Sequence, residues 1–442
     1  MSHPIDQPIP TPLPEQDPEP GGPKLRGTGR KSGWLSPLNQ RRWRNFKANR
    51  RAYRSFWIFL VLYGLSLLAP LLANDRPLLV QFQGEYYTPM LNFYPETQFG
   101  GDFRAEAVYR DVEVQCLIIS GGLDACWDDP EDVIEQVQST GQYAGTDVEE
   151  GWLIWPPIPY AYDTIVDRPG TAPGAPNVIN TWFVPADDPD GAPVFDLPRS
   201  ADPEDWDRRF GLLPEEIRGA NLLGTDDTSR DVLSRVIYGF ELSVSFALIV
   251  TVLASAIGIF AGAIQGFFGG WVDLIFQRII EIWNATPSLY VIIIVATIFA
   301  MDFWLLVFLM VAFGWTGLVG VVRAEFLRAR NFEYVRAARA LGVGSMTIMF
   351  RHVLPNAMVA TLTFLPFIVT GTIGGLASLD FLGFGLPSSE PSLGEMTLQA
   401  KNNLTAPWLG FTAFFTFAIM LSLLVFVFEG IRDAFDPRKT FA

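Results

Sequence analysis

Six long runs without a charged residue punctuate this chain, at residues 55–73, 242–266, 283–301, 303–322, 358–379 and 408–428. About 20 apolar residues in helical conformation cross the hydrocarbon core of a bilayer. Only helices or closed barrels satisfy every backbone group in lipid, so runs of this length read as membrane helices. Six of them exceed what the buried core of a soluble protein requires. The first is no removable leader, because it starts far from the N-terminus, its apolar part is too long and no small-residue cleavage site follows cleanly. The pattern predicts an all-α polytopic membrane protein of six transmembrane helices. A loop-rich, partly β extracytoplasmic insertion separates the first helix from the second.

Charge then orients the spans. Hydrophobic residues make up 49% of the chain, yet its net charge is −15. A single soluble globule rarely combines the two, whereas uncharged spans joined to an acidic aqueous part do. Residues 1–23 are rich in Pro and acid with little to bury, and are expected to be a disordered tail. Residues 24–54 form a basic flank without one acid, which places them on the cytoplasmic side of the first span. Residues 74–230 carry about thirty acids against nine Arg and no Lys, as a translocated segment can. Arg323, Arg328, Arg330, Arg336, Arg339 and Arg351 put the next long loop inside. Asp380, Glu390 and Glu395 against Lys401 put the loop after the fifth span outside. Both termini are therefore expected in the cytoplasm, with a core at 231–433 and a short C-terminus at 434–442 that includes Arg438 and Lys439.

The acidic insertion contains short β-like runs, "VEVQCLII" at 112–119 and "NVINTWFVP" at 177–185. It also holds the chain's two cysteines, Cys116 and Cys126. They are either a bridge or two free thiols, and an oxidising compartment favours the bridge. No metal site is expected, because the two histidines are His3 and His352.

Catalytic chemistry is not in view. The nearest look-alike of a phosphate-binding loop, "LRGTGRKSG" at 25–33, has the wrong Gly–Lys register and no apolar strand before it. No Ser/His/Asp arrangement presents itself. Glu241, Glu281 and Asp380 sit at span edges, which argues against an ion-coupled carrier. Trp57, Trp283, Trp304 and Trp408 lie near span ends, as interfacial aromatics do. Gly258, Gly262 and Gly266 recur every fourth residue and allow close helix contact. Pro287 and Pro366 should kink or open their spans.

The cytoplasmic segment "NFEYVRAARALGVGSMTIMFRHVLPNAM", residues 331–358, reads as two short helices. Asn331 is the expected N-cap, Glu333 favours the first turn, and Gly342 stands where a left-handed residue ends the helix. Ser345 can cap a second helix, and Pro355 sets a turn into the fifth span. Ala337 and Ala338 form a side-chain-poor patch that another protein can approach closely. A rigid, charged elbow of this kind suits a docking knob.

The spacing Ala337–Ala338–x₃–Gly342–x₁₁–Leu354–Pro355 resembles the EAA loop of binding-protein-dependent ABC importer permeases. Arg336 replaces the Glu that names the motif, Glu333 lies three positions earlier, and "RHVLPN" with His352 is similar to the dipeptide and oligopeptide branch. "GTDDTSRDVLSRVIYG" (224–239), "GFFGGWVD" (266–273), "SLDFLGFGLPSSEPSLGEM" (378–396), "APWLG" (406–410) and "RDAFDPR" (432–438) extend the likeness. "LSPLNQRRWRNFKANRRAY" and "LANDRPLLVQF" narrow it to the second permeases of microcin C-type oligopeptide importers.

The resemblance implies a MetI-like transmembrane domain that forms a path for peptides or peptide-like compounds and hydrolyses no ATP. It implies no cofactor. Its partners would be a second permease, ATP-binding cassette subunits that dock on the 323–357 loop, and a periplasmic substrate-binding protein. Two competing classes are a membrane-anchored receptor with an acidic outer lobe and a proton- or sodium-driven carrier. A receptor needs no docking elbow, and a carrier needs intramembrane carboxylates.

Overall fold

The computed structural model describes residues 37–166, 173–174 and 221–435. The expected tail at 1–23, the look-alike loop at 25–33, the run at 177–185 and Arg438 with Lys439 lie outside the described residues.

The chain enters through α1 (Pro37–Ala48), α2 (Arg50–Leu67) and a short α3 (Ala69–Leu72). Asn49 caps α2 by accepting the Ala52 amide at 3.3 Å. The first apolar run therefore starts inside a helix that opens with Arg50, Arg51 and Arg54, and it breaks at Leu68, just before Pro70.

A small lobe follows. Strands β1 (Leu79–Phe82) and β2 (Glu85–Tyr87) form a hairpin whose two turn residues, Gln83 and Gly84, both have positive φ. Helices α4 (Val112–Ile119) and α5 (Pro130–Thr140) come next, then the two-residue strands β3 (Gln142–Tyr143) and β4 (Thr146–Asp147), and β5 (Trp152–Ile154). The sheet order is β2-β1-β5, all antiparallel. Val80, Phe82, Phe99, Tyr109, Val114 and Ile118 fill its inner side. The run "VEVQCLII" is thus α4 and not a strand. It is buried on nearly every side, so β-branched composition reported burial and not backbone conformation. Cys116 of α4 and Cys126 are joined by a disulfide with Cα atoms 5.6 Å apart.

The helical core begins with α6 (Val232–Phe268), then α7 (Gly270–Ala285), α8 (Ser288–Ile298), α9 (Phe303–Gly314) and α10 (Thr316–Ala329). After them come α11 (Glu333–Ala340), α12 (Leu354–Phe381), α13 (Leu393–Asn402) and α14 (Pro407–Phe435). Four stretches are long and apolar enough to cross a membrane: α6, the α9–α10 unit Phe303–Ala329, Ala360–Phe381 and α14. The α7–α8 pair makes a fifth if it counts as one span, bent by 63°. The run at 283–301 is therefore broken, because Thr286 and Pro287 end one helix and start the next. Pro366, by contrast, sits inside one continuous helix.

Helices α6 and α10 touch backbone to backbone. A Cβ on Gly262 would lie 2.7 Å from the Val319 carbonyl oxygen, and one on Gly266 would lie 2.5 Å from that of Arg323. Gly258 faces the Trp315 carbonyl in the same way. The four-residue glycine repeat thus matches a four-residue repeat of carbonyls on the partner, the close approach that small residues permit in lipid.

Candidate functional site

The 331–358 segment folds as an elbow between α10 and α12. Its first helix, α11, is capped by Phe332 and not by Asn331. The Asn331 carbonyl instead accepts two bonds from the Arg336 guanidinium, at 3.1 and 2.9 Å, which closes the turn out of α10. At its other end the Gly342 amide donates to Arg339 and the Val343 amide to Ala338, at 3.0 and 3.1 Å. Those paired bonds are a Schellman ending, and Gly342 supplies the φ of +75° that it needs.

The second half of the elbow differs from a capped helix followed by a proline turn. Ser345 is the first helical residue, with Gly344 as the cap. One turn, Ser345–Thr347, passes into a π-helical stretch, Ile348–Val353, and then directly into α12. Pro355 lies in the first turn of α12, after a wide turn in which the Leu354 amide donates to the Met349 carbonyl five residues back, and the helix runs on through it. His352 sits within the wide turn and accepts an Asn356 amide bond on its carbonyl at 3.1 Å.

The elbow has a braced inner side and a bare outer side. Val335, Ile348, Met349 and Val353 are fully buried against Phe267, Val322 and Phe326, with Ala338 and Leu354 packed beside them. The Arg339 guanidinium lies 5.0 Å over the Phe267 ring. Outward, Tyr334, Ala337 and Leu341 share one face at helical spacing, and Leu341 is 83% exposed. Met346 and Phe350 are exposed nearby, and Glu333 and Arg336 flank the apolar stripe. Of the two alanines, Ala337 belongs to the outer side and Ala338 is half-buried.

The turn "GFFGGWVD" holds the elbow's base. Arg323 binds Asp273 bidentately, Nε to Oδ1 at 2.5 Å and Nη2 to Oδ2 at 2.7 Å. Gly269, at φ +64°, leaves the space in which the Arg330 guanidinium lies. Arg323 is therefore consumed by an ion pair at the α7–α10 contact, and does not point from the loop as a free cation.

At the far end of α6 and α12 the other motifs converge, a meeting their separation in sequence conceals. Arg235, 1% exposed in side chain, pairs with Asp226 at 3.4 Å. It also donates to the carbonyls of Glu390 at 3.0 Å, Ser388 at 3.4 Å and Tyr162 at 3.5 Å. The carboxylate of Asp226 in turn orders its own loop by accepting from the Thr228 and Arg230 amides, both at 2.9 Å. Asp231 caps α6 at Ser234, and burial pushes its carboxyl above the ordinary range, as it does for Asp227 and Glu395. The Trp408 indole donates to the Thr225 carbonyl at 3.2 Å, which joins "APWLG" to "GTDD". Asp380 accepts from the Leu386 amide at 2.8 Å and from Ser392 at 2.5 Å, so it is a structural anchor. Sequence reasoning singled out none of Arg235, Asp226 or Ser392; only the charge of Arg235 next to an apolar run hinted at a partner.

Comparison with known proteins follows the same division. Residues 235–441 match the family "Binding-protein-dependent transport system inner membrane component", and residues 36–93 match the "N-terminal TM domain of oligopeptide transport permease C". The peptidoglycan transport system permease protein YejE of Agrobacterium fabrum is 51% identical over 412 residues, covering 93% of this chain and 96% of the relative. The inner membrane ABC transporter permease protein YejE of Escherichia coli is 45% identical over 405 residues, covering 92% and 98%. The oligopeptide transport system permease protein OppC of Lactococcus lactis is 33% identical over 227 residues, half of this chain and 77% of the relative. On this evidence of matched length and identity, the chain belongs to the family of inner-membrane permeases of binding-protein-dependent ABC transport systems.

Proposed function

We propose that the chain forms half of a peptide translocation path and takes its power from ATPase subunits that dock on the 331–358 elbow. The observation that carries this reading is the outer stripe of Tyr334, Ala337 and Leu341, an exposed apolar face on a short helix whose other face is locked into the core. An exposed apolar patch on a braced element fits a protein interface better than a connecting loop. ATP hydrolysis belongs to the partners, and this chain is no enzyme.

Six spans with both termini in the cytoplasm remain the topology we favour. The first is α2 with α3, and the third is the bent α7–α8 pair. Arginine enrichment on the 24–54 and 323–351 segments supports the orientation. The lobe at 74–166 then lies in the periplasm, where a substrate-binding protein delivers cargo. A second permease completes the path, and the cargo class is peptides or peptide-like compounds, the class named for the related OppC permease of Lactococcus lactis.

Mechanically, the elbow and the Arg235 cluster lie at opposite ends of α6 and α12. The 28 residues of α12 span about 42 Å at 1.5 Å per residue. Displacement of the elbow by a nucleotide-driven partner reaches the Asp380 end through one helix. Co-purification in mild detergent tests the reading: an ATPase and a second permease should accompany the wild type, and Leu341→Asp should lose the ATPase alone. Normal uptake and normal ATPase recovery in that variant would refute it.

A further inference from the structure

We propose that the basic face of α1 and the start of α2, formed by Arg44, Lys47, Arg50, Arg51 and Arg54, is a docking surface for anionic phospholipid headgroups. All five side chains are exposed, and none forms an ion pair among the described residues. The two nearby carboxylates at the end of α14, Glu429 and Asp433, are both within reach of Arg432, at 3.4 and 3.3 Å. Among the described residues these five cations have no carboxylate partner, and Lys47 lies 5.3 Å over the Trp43 ring, a contact that leaves its charge in place.

The face is held in a fixed orientation. Phe46 is buried against Ala52 and Ala434. Gly430 makes that seat possible, since a Cβ there would collide with Ala52 and lie 2.9 Å from the Phe46 ring. Arg42 stacks on Phe435 at 4.1 Å, on the inner side of α1. With α1 pinned across α2 and α14, Arg44 and Lys47 are left outward.

What the surface meets is argued from its continuation. Arg50, Arg54, Ile58, Val61 and Leu65 follow one stripe of α2 at helical spacing, and the last three are exposed apolar residues. The basic face thus runs without a break into the face that a lipid acyl chain would cover, with Trp57 at the junction. A protein partner would have to cover both zones, whereas an anionic phospholipid matches both with one molecule. A recess of about 420 Å³, lined by Asn49, Arg50, Arg51, Phe426 and Glu429 among others, lies beside the stripe and can take a headgroup. The inference rests on α2 lying in the membrane, and its test separates the two.

The full-length chain is reconstituted into nanodiscs of equimolar phosphatidylcholine and phosphatidylglycerol. It is then re-extracted in mild detergent, and retained lipid is weighed by native mass spectrometry. Wild type should retain phosphatidylglycerol over phosphatidylcholine by about fivefold or more, and the preference should shrink in high salt. Changing all five residues to Gln should abolish the preference, and changing the four arginines to Lys should keep it. Equal retention of the two lipids by wild type, a salt-independent preference, or an undiminished preference in the Gln variant would each overturn the proposal. So would a Gln variant that keeps its lipid and loses a co-purifying protein chain. If the Gln variant does not fold, the wild-type lipid ratio and its salt dependence decide. A chain whose α2 is not protected by the bilayer overturns both the membrane placement of α2 and the proposal that rests on it, whereas equal lipid retention with α2 protected overturns the proposal alone.

Discussion

Arg235 and Asp226 form an ion pair at 3.4 Å in which both side chains are shut away from solvent. Charges removed from water need hydrogen-bond partners in place of solvent, and here three backbone carbonyls accept from the two terminal nitrogens of the guanidinium. One side chain thereby ties the start of α6 to the α12–α13 connection and to the lobe. Arg235→Ala should destabilise the chain by about 3–5 kcal/mol, because Asp226 is left buried without its partner. Thermal unfolding in detergent would register the loss, and Arg230→Ala, at a more exposed neighbour, should cost far less.

The α6–α10 contact predicts a graded glycine series. Gly262→Ala and Gly266→Ala should each destabilise by about 1–3 kcal/mol, since the new methyl meets a carbonyl or a Cβ of α10. Gly320→Ala and Gly371→Ala lie in helices with nothing within 4 Å of a new Cβ, and should be neutral or gain about 0.5–1 kcal/mol. Yield of monodisperse protein and melting temperature would order the four.

At the elbow, Gly342 has open space around it but a left-handed backbone. Gly342→Asp should therefore cost about 1–2 kcal/mol locally, leave membrane insertion intact and abolish uptake. Gly344→Ala, at ordinary φ, should transport normally. Equal uptake by both variants would disprove the docking role.

Within the lobe, the Cys116–Cys126 bridge closes a ten-residue separation, worth about 3 kcal/mol in a chain-entropy account. Alkylation without reductant should label neither cysteine, and with reductant both. Cys116→Ser should admit protease to residues 74–166 and leave the α6–α14 core intact.

Glu96 supplies a pH test in the same lobe. Burial raises its carboxyl above the ordinary 4.5, so the folded lobe binds this proton more tightly than the unfolded chain. The associated stability is present below 4.5 and is lost as pH rises through the raised value. Glu96→Gln should flatten that descent and stabilise the lobe at neutral pH, as followed by proteolysis across pH.

The sequence was most legible where physics is local. Apolar length located α6, α12 and α14, and Gly342 declared the end of α11 because few residues adopt positive φ. Non-local outcomes were hidden. "VEVQCLII" became a helix because two cores close around it, and the 283–301 run broke because Thr286 and Pro287 outweighed its apolar continuity. Asn331 was a plausible cap until Arg336 folded back on its carbonyl. The Arg235 cluster draws on segments more than 150 residues apart, a distance at which periodicity carries no information.

From the wide turn at Ile348–Val353 the backbone passes through Pro355 into α12 without a break. Were α12 to move as one body, a shove at its base would become a tilt at its tip rather than a squeeze in between. No chain of relaying side chains would then be needed to pass on the proposed push, and the wide turn, where the helix is most loosely wound, is where such a lever would find its pivot.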